Sequence, residues 1–141
     1  MRRELFMTTE ANDRRCMELV IAKTREGIAA GCWPYAACIA RDGKPLIVEH
    51  NLVLPTNDPT AHGEVVAIRA ACRLLGTIDL KGYDIYTNAA PCPMCFTAIY
   101  WAGIRRIVYG ALPEDSRILG FGDFIIPPEK MARIGDRKSV V

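Results

Sequence analysis

No stretch of this chain approaches the roughly 20 consecutive apolar residues that a membrane-spanning helix requires. It has no block of like charge, no internal repeat and no low-complexity segment, and the formal net charge of its 141 residues is only +2. That balance is too mild to point to nucleic acid by charge alone. No apolar segment follows the basic start Met1-Arg2-Arg3-Glu4-Leu5-Phe6-Met7, so nothing there reads as a secretory signal. Residues 1–8 are expected to form a flexible extension, with Met7 an alternative start. The expected compartment is the cytoplasm, where thiols stay reduced. Histidine is scarce, only His50 and His62.

What is present is ordinary globular composition: half the residues are apolar and 24% are charged. The length suits one domain, residues 1–141, with a core large enough to need no disulfide staples. Six cysteines would suggest a disulfide framework in a small secreted chain. In a reducing compartment most of them read instead as small buried side chains. Cys92 and Cys95 stand apart, as follows from their setting.

The apolar periodicity predicts a first helix from Thr9 or Asn12 to about Ala30, with Met17, Val20, Ile21, Thr24 and Ile28 on its inner stripe. Strands follow at Tyr35–Ala40 and Pro45–Val53, joined by the hairpin signal Asp42-Gly43. Pro55-Thr56-Asn57-Asp58-Pro59 reads as loop, and Thr60 as the N-cap of a helix from Ala61 to Leu75. A strand at Tyr83–Thr87, a helix opened by Pro91 or Pro93 and closed by Gly103, and a strand at Arg105–Ala111 complete the regular part. Beyond it the chain reads as irregular, with one short helix over Pro127–Met131 and a final strand over Lys138–Val141. A hairpin followed by alternating strands and helices predicts a three-layer α/β/α sandwich around a mixed five-stranded sheet.

Two short stretches carry the chemistry: His62-Gly63-Glu64 and Pro91-Cys92-Pro93-Met94-Cys95. Each opens a predicted helix after a strand and a loop. In an α/β sheet such helix starts gather at one edge, where ligands bind. Cys-x-x-Cys on a first helical turn lets two sulfurs converge on one ion, and a helix N-terminus favours thiolate. His62 would bring the protein ligands to three, which leaves a fourth tetrahedral position open, as in catalytic rather than structural zinc sites. Glu64 would then stand beside the metal, where a proton carrier belongs. Taken one at a time, these residues have plainer readings. Cys92 and Cys95 could be a redox pair or two buried thiols, His62 a buried histidine, and Glu64 a solvated carboxylate at a helix start.

Taken together, His-x-Glu and Pro-Cys-x-x-Cys form the signature of zinc deaminases. Across Asn57–Arg69 and Pro91–Ala102 the chain resembles the cytidine deaminase-like superfamily, and within it the bacterial guanine deaminases. The resemblance implies a cytidine deaminase-like fold and one zinc on His62, Cys92 and Cys95. It implies that Glu64 is the catalytic acid and base, and that backbone amides near Gly63 and Cys92 polarise the ring. The implied reaction is hydrolytic deamination of a free nucleobase in purine metabolism, guanine to xanthine and ammonia. Cytosine or another amino-heterocycle is the first alternative. A tRNA adenosine deaminase comes next, and a catalytically silent zinc domain last.

Asn51 matches an asparagine with which relatives grip the base, and it reads equally well as a turn residue. Asp123, in Gly120-Phe121-Gly122-Asp123-Phe124, matches an aspartate that guanine deaminases place against the purine; its plainer reading is a surface loop. The chain departs from the pattern at Gly63, where alanine is usual, at Ala90, where glutamate is common, and at Trp33-Pro34-Tyr35, in place of a Gly-Pro-Phe type stretch. It also ends at Val141, short of a C-terminal helix that completes the pocket in those relatives. Arg105, Arg106, Arg133, Arg137 and Lys138 read as solvated charge rather than a nucleic-acid face. The expected partners are a small nucleobase and a second copy of the chain, packed on faces such as Phe96, Ile99 and Tyr100.

Overall fold

The computed structural model describes residues 2–118, 120 and 126–134. Helix α1 (Arg2–Ala29) is followed by strands β1 (Ala36–Arg41) and β2 (Lys44–His50). Then come a one-turn helix α2 (Val53–Thr56), helix α3 (Gly63–Leu75), strand β3 (Asp84–Ala89), helix α4 (Pro93–Trp101) and strand β4 (Arg106–Ala111). Two short helices, α5 (Pro113–Ile118) and α6 (Pro128–Ile134), close the described part.

Among the described residues the sheet has four strands in the order β2-β1-β3-β4, not five. The fifth strand expected over Lys138–Val141 lies outside the described residues. β1 pairs antiparallel with both β2 and β3, and β3 pairs parallel with β4, so the sheet is mixed as expected. Asp42 and Gly43 turn the hairpin with φ of 50° and 74°, the left-handed backbone that a tight two-residue connection demands.

Strand alternation divides the core in two. Ala37, Ile39, Ile85 and Ile107 face Ala67 and Ala71 of α3 and Phe96 and Ile99 of α4. Their neighbours Ala36, Cys38, Ala40 and Tyr86 face Cys16 and Val20 of α1. This is the three-layer sandwich that the sequence predicts. The buried line of α1 is Cys16, Val20, Thr24 and Gly27, whereas Ile21 and Ile28 are exposed. Gly27 sets that line: a Cβ there would come within 2.9 Å of the His50 ring.

Other boundaries also shift. α1 is already helical at Arg2, upstream of the expected start. β2 stops at His50 because the chain turns into α2 there, and the Asn51 side chain holds that turn by accepting the Val53 N–H at 3.0 Å. Thr60 does not cap α3; the Asp58 carboxylate holds its backbone N–H at 2.8 Å and its hydroxyl at 2.6 Å. Phe96 and Ile99 belong to the core, and the exposed apolar residues of α4 are Met94, Tyr100 and Trp101. No helix among the described residues is long and apolar enough to cross a membrane.

Candidate metal centre and active site

Because β1 runs against β3, the start of β1, the end of β2 and the ends of β3 and β4 meet at one edge of the sheet. Asn88 stitches this edge: its Oδ1 accepts the Ala36 N–H at 2.9 Å and its Nδ2 donates to the Pro34 carbonyl at 2.9 Å. Helices α3 and α4 both begin here. His62 occupies the N-cap position of α3 with extended backbone (φ −63°, ψ 153°), and its side chain makes no capping hydrogen bond. Cys92 holds the same position on α4, with Pro93 inside the first turn. Cap positions that usually carry Ser, Thr, Asp or Asn are here given to a histidine and a cysteine.

The three side chains converge. His62 Nδ1 lies 3.7 Å from Cys92 Sγ and 3.5 Å from Cys95 Sγ. All three ligand atoms fall within 4.8 Å of one another. Zinc bonds of about 2.3 Å to sulfur and about 2.0 Å to nitrogen, at tetrahedral angles, give N···S edges of about 3.6 Å. The donor set and its spacing therefore fit zinc. The charges fit as well. The neighbouring Cys95 thiol and the His62 ring hold the Cys92 thiol down to about 4, against the opposing effect of burial. The neighbouring Cys92 and burial push the Cys95 thiol upward.

Glu64 follows His62 by two residues on the first turn of α3. The residue is 8% exposed, and its Oε2 lies 3.4 Å from Cys95 Sγ. Burial raises its pKa from the ordinary carboxylate value. Gly63 packs α3 against β1: a Cβ there would stand 3.1 Å from the Ala36 Cα. Asn51 is 2% exposed, and its Nδ2 has no partner among the described residues. Its oxygen secures the turn into α2, and its side chain lines the cavity described next.

A cavity of about 470 Å³ opens onto these groups. It is lined by His62, Glu64 and Cys92 together with Trp33, Tyr35 and Asn51, and by Pro113, Ser116, Gly120 and Ile126 from the segment after β4. Gly63 is not among the lining residues, and Asp123 lies outside the described ones. The α5 wall was not legible in the sequence, because nothing in Pro113–Ile118 repeats with a helical apolar period. Only the proline and the two acidic residues that open it signal a helix start.

Residues 10–111 match the cytidine and deoxycytidylate deaminase zinc-binding region. The chain belongs to this family. It is a zinc-dependent deaminase domain, and His62, Cys92 and Cys95 are positioned to hold its one metal ion. It is 40% identical over 119 residues to the guanine deaminase of Bacillus subtilis, covering 84% of this chain and 76% of that protein. It is also 40% identical over 95 residues to the tRNA-specific adenosine deaminase of Agrobacterium fabrum, covering 67% of this chain and 62% of that one. The solved guanine deaminase of Nitrosomonas europaea superposes with a TM-score of 0.81 at 31% identity, over 89% of this chain and 73% of that one. Ala90, where the family commonly carries glutamate, lines the cavity and adds no charge to it.

Proposed function

We propose that this deaminase acts on a free nucleobase, guanine, and releases xanthine and ammonia. The reading is carried by the extent of the likeness to guanine deaminase, which spans 84% of the chain against 67% for the tRNA-specific relative. The cavity supports it: about 470 Å³ is a volume that encloses one small ligand. The segment after β4 contributes Pro113, Ser116 and Ile126 to its lining.

Zinc, when bound, lowers the pKa of a coordinated water towards neutrality and so supplies the nucleophile. The remaining steps fall to the chain. Glu64 would take one proton from the attacking water and pass it to the ring nitrogen beside the reacting carbon, then take the second from the hydroxyl now on that carbon and deliver it to the departing amine. Its burial suits both roles, because a raised pKa brings the acid and base forms closer in energy near neutral pH. Asn51 donates from Nδ2 to an acceptor on the ring, since its oxygen is committed to Val53. The backbone at Gly63 and Cys92, at the starts of α3 and α4, contributes amide dipoles to the same end of the cavity.

Two further assignments belong to this reading. Thiol ligands suit a cytoplasmic setting. A second copy covers α4, where Trp101 is 79% exposed beside Tyr100 and Met94.

The likeness to tRNA-specific adenosine deaminases keeps a second reading in view. An ammonia-release assay of the purified zinc protein against guanine, cytosine, adenine, adenosine and an anticodon stem-loop separates the two. Turnover of guanine above the others is the expected result. Turnover of the stem-loop alone overturns the free-base reading.

A further inference from the structure

The last backbone pair between β1 and β3 is Ala37 with Thr87. Beyond it β3 keeps its register with β4 as far as Ala89 and Ala111, while its link to β1 passes to a side chain. Asn88 Oδ1 accepts the Ala36 N–H and Asn88 Nδ2 donates to the Pro34 carbonyl, each at 2.9 Å. One amide thus clamps the two peptide groups on either side of Tyr35, in the place that a strand's own backbone would fill in a ladder. The stretch it clamps carries Trp33 and Tyr35, the aromatic residues that line the cavity among those described. The same stretch holds Asn51, whose backbone N–H donates to the Tyr35 carbonyl at 2.8 Å. In the other direction Asn88 leads through Ala89, Ala90 and Pro91, which also line the cavity, to the metal ligand Cys92.

We infer that Asn88 is a positioning residue that sets substrate affinity: its amide fixes the spacing between the segment that ends in Cys92 and the Trp33–Tyr35 stretch. The inference deepens the proposed nucleobase activity and rests on it. A ring in this cavity meets the metal ligands on one segment and Trp33, Tyr35 and Asn51 on another, so its fit depends on how the two are spaced. A side-chain amide suits that task. It carries its polar groups outward from the backbone, so it can bridge strand ends that have parted beyond ladder spacing. It also supplies donor and acceptor at once, whereas a carboxylate only accepts and an alanine offers neither.

The test compares Asn88→Ala, Asn88→Ser and, as a control, Asp13→Ala with wild type for zinc content and for kcat and KM on guanine. A second readout needs no turnover. Trp33 and Trp101 are the chain's two tryptophans, and Trp101 is 79% exposed, so a Trp101→Phe background leaves Trp33 as the only indole reporter. For Asn88→Ala the expected result is full zinc, a red-shifted Trp33 emission and a KM raised about tenfold or more, with kcat within about threefold, because His62, Glu64, Cys92 and Cys95 are untouched. Asn88→Ser, whose hydroxyl sits on a shorter arm and cannot reach both peptides, should raise KM by at least about threefold, and it carries the test if Asn88→Ala fails to fold. Asp13→Ala, which removes polar contacts elsewhere in the sheet, should leave both Trp33 emission and KM at their wild-type values. A merely structural Asn88 would behave in the same way, so a wild-type KM in the Asn88 variants overturns the inference, whether or not the emission moves. A wild-type protein that turns over another amino-heterocycle but not guanine overturns the proposed substrate alone, and KM for that heterocycle then decides the role of Asn88.

Discussion

The two ends of the sheet are built from similar residues and put them to opposite uses. At the far end from the cavity, Arg106 donates to both carboxylate oxygens of Asp13, at 2.8 and 2.7 Å, and the Tyr86 hydroxyl donates to the same carboxylate at 2.8 Å. Asp84 completes the group with Arg105 at 3.2 Å and Arg106 at 3.7 Å. These two carboxylates and two guanidiniums pair with one another, and they join α1 to β3 and β4. At the cavity end, His62 caps nothing, Asn51 keeps an uncommitted amine, and Glu64 is buried without a salt bridge among the described residues. Polar groups satisfied by one another hold a fold together. Polar groups left waiting mark where a ligand completes the structure.

Substitution at each end should break a different property, and the largest effect belongs to the cavity. Glu64→Gln keeps the shape of the side chain but removes the proton carrier. Turnover should drop by at least about 10²-fold, the usual scale for loss of general acid–base catalysis. Metal analysis should still find one zinc per chain, since His62, Cys92 and Cys95 are untouched. Full activity in that variant would reduce Glu64 to a helix-start carboxylate. The far end should give the reverse pattern. Asp13→Ala removes the acceptor for Arg106 and Tyr86, at a cost of about 1–3 kcal/mol in chemical denaturation. Its kcat should stay within about twofold of wild type, because distant sites without shared partners act independently. A variant that lost activity but not stability would erase the distinction between the two ends.

The sequence displays these two ends unequally. The metal ligands are legible because each half of the motif is local. His62 and Glu64 share one helical turn, Cys92 and Cys95 another, and both turns follow a strand or turn that leads to the same sheet edge. The hairpin is legible for a similar reason, since Asp42-Gly43 states its own backbone geometry. By contrast, 93 residues separate Asp13 from Arg106, and no local pattern couples them. α2 was hidden because its start is set by the Asn51 side chain rather than by an apolar period. The exposed face of α4 was misassigned at Phe96 and Ile99, since an all-apolar helix does not show in sequence which side meets the sheet.

The smallest effect is also the one most specific to the ion network, because its two carboxylates should respond to pH in opposite directions. Burial alone would raise Asp13, but the hydrogen bonds from Arg106 and Tyr86 and the Arg106 charge outweigh it and hold the carboxyl below its usual range. Burial dominates at Asp84 and lifts it, despite Arg105 and Arg106. The unfolded-state value for both is about 3.9. A folded pKa below that value means that ionised Asp13 contributes stability, fully present above about pH 4 and lost as the pH falls through the folded value. A folded pKa above it means the reverse for Asp84, whose contribution is present below about pH 4 and is lost as the pH rises through the folded value. Denaturation of wild type, Asp13→Asn and Asp84→Asn across acid to neutral pH reads this directly. Zinc release at low pH is common to all three and cancels in the differences. The stability advantage of wild type over Asp13→Asn should grow with pH and level off above about pH 4, while its advantage over Asp84→Asn should shrink over the range above that. Slopes of the same sign would show that the two aspartates titrate as one unit rather than as an ion held by Arg106 beside a carboxylate that burial dominates.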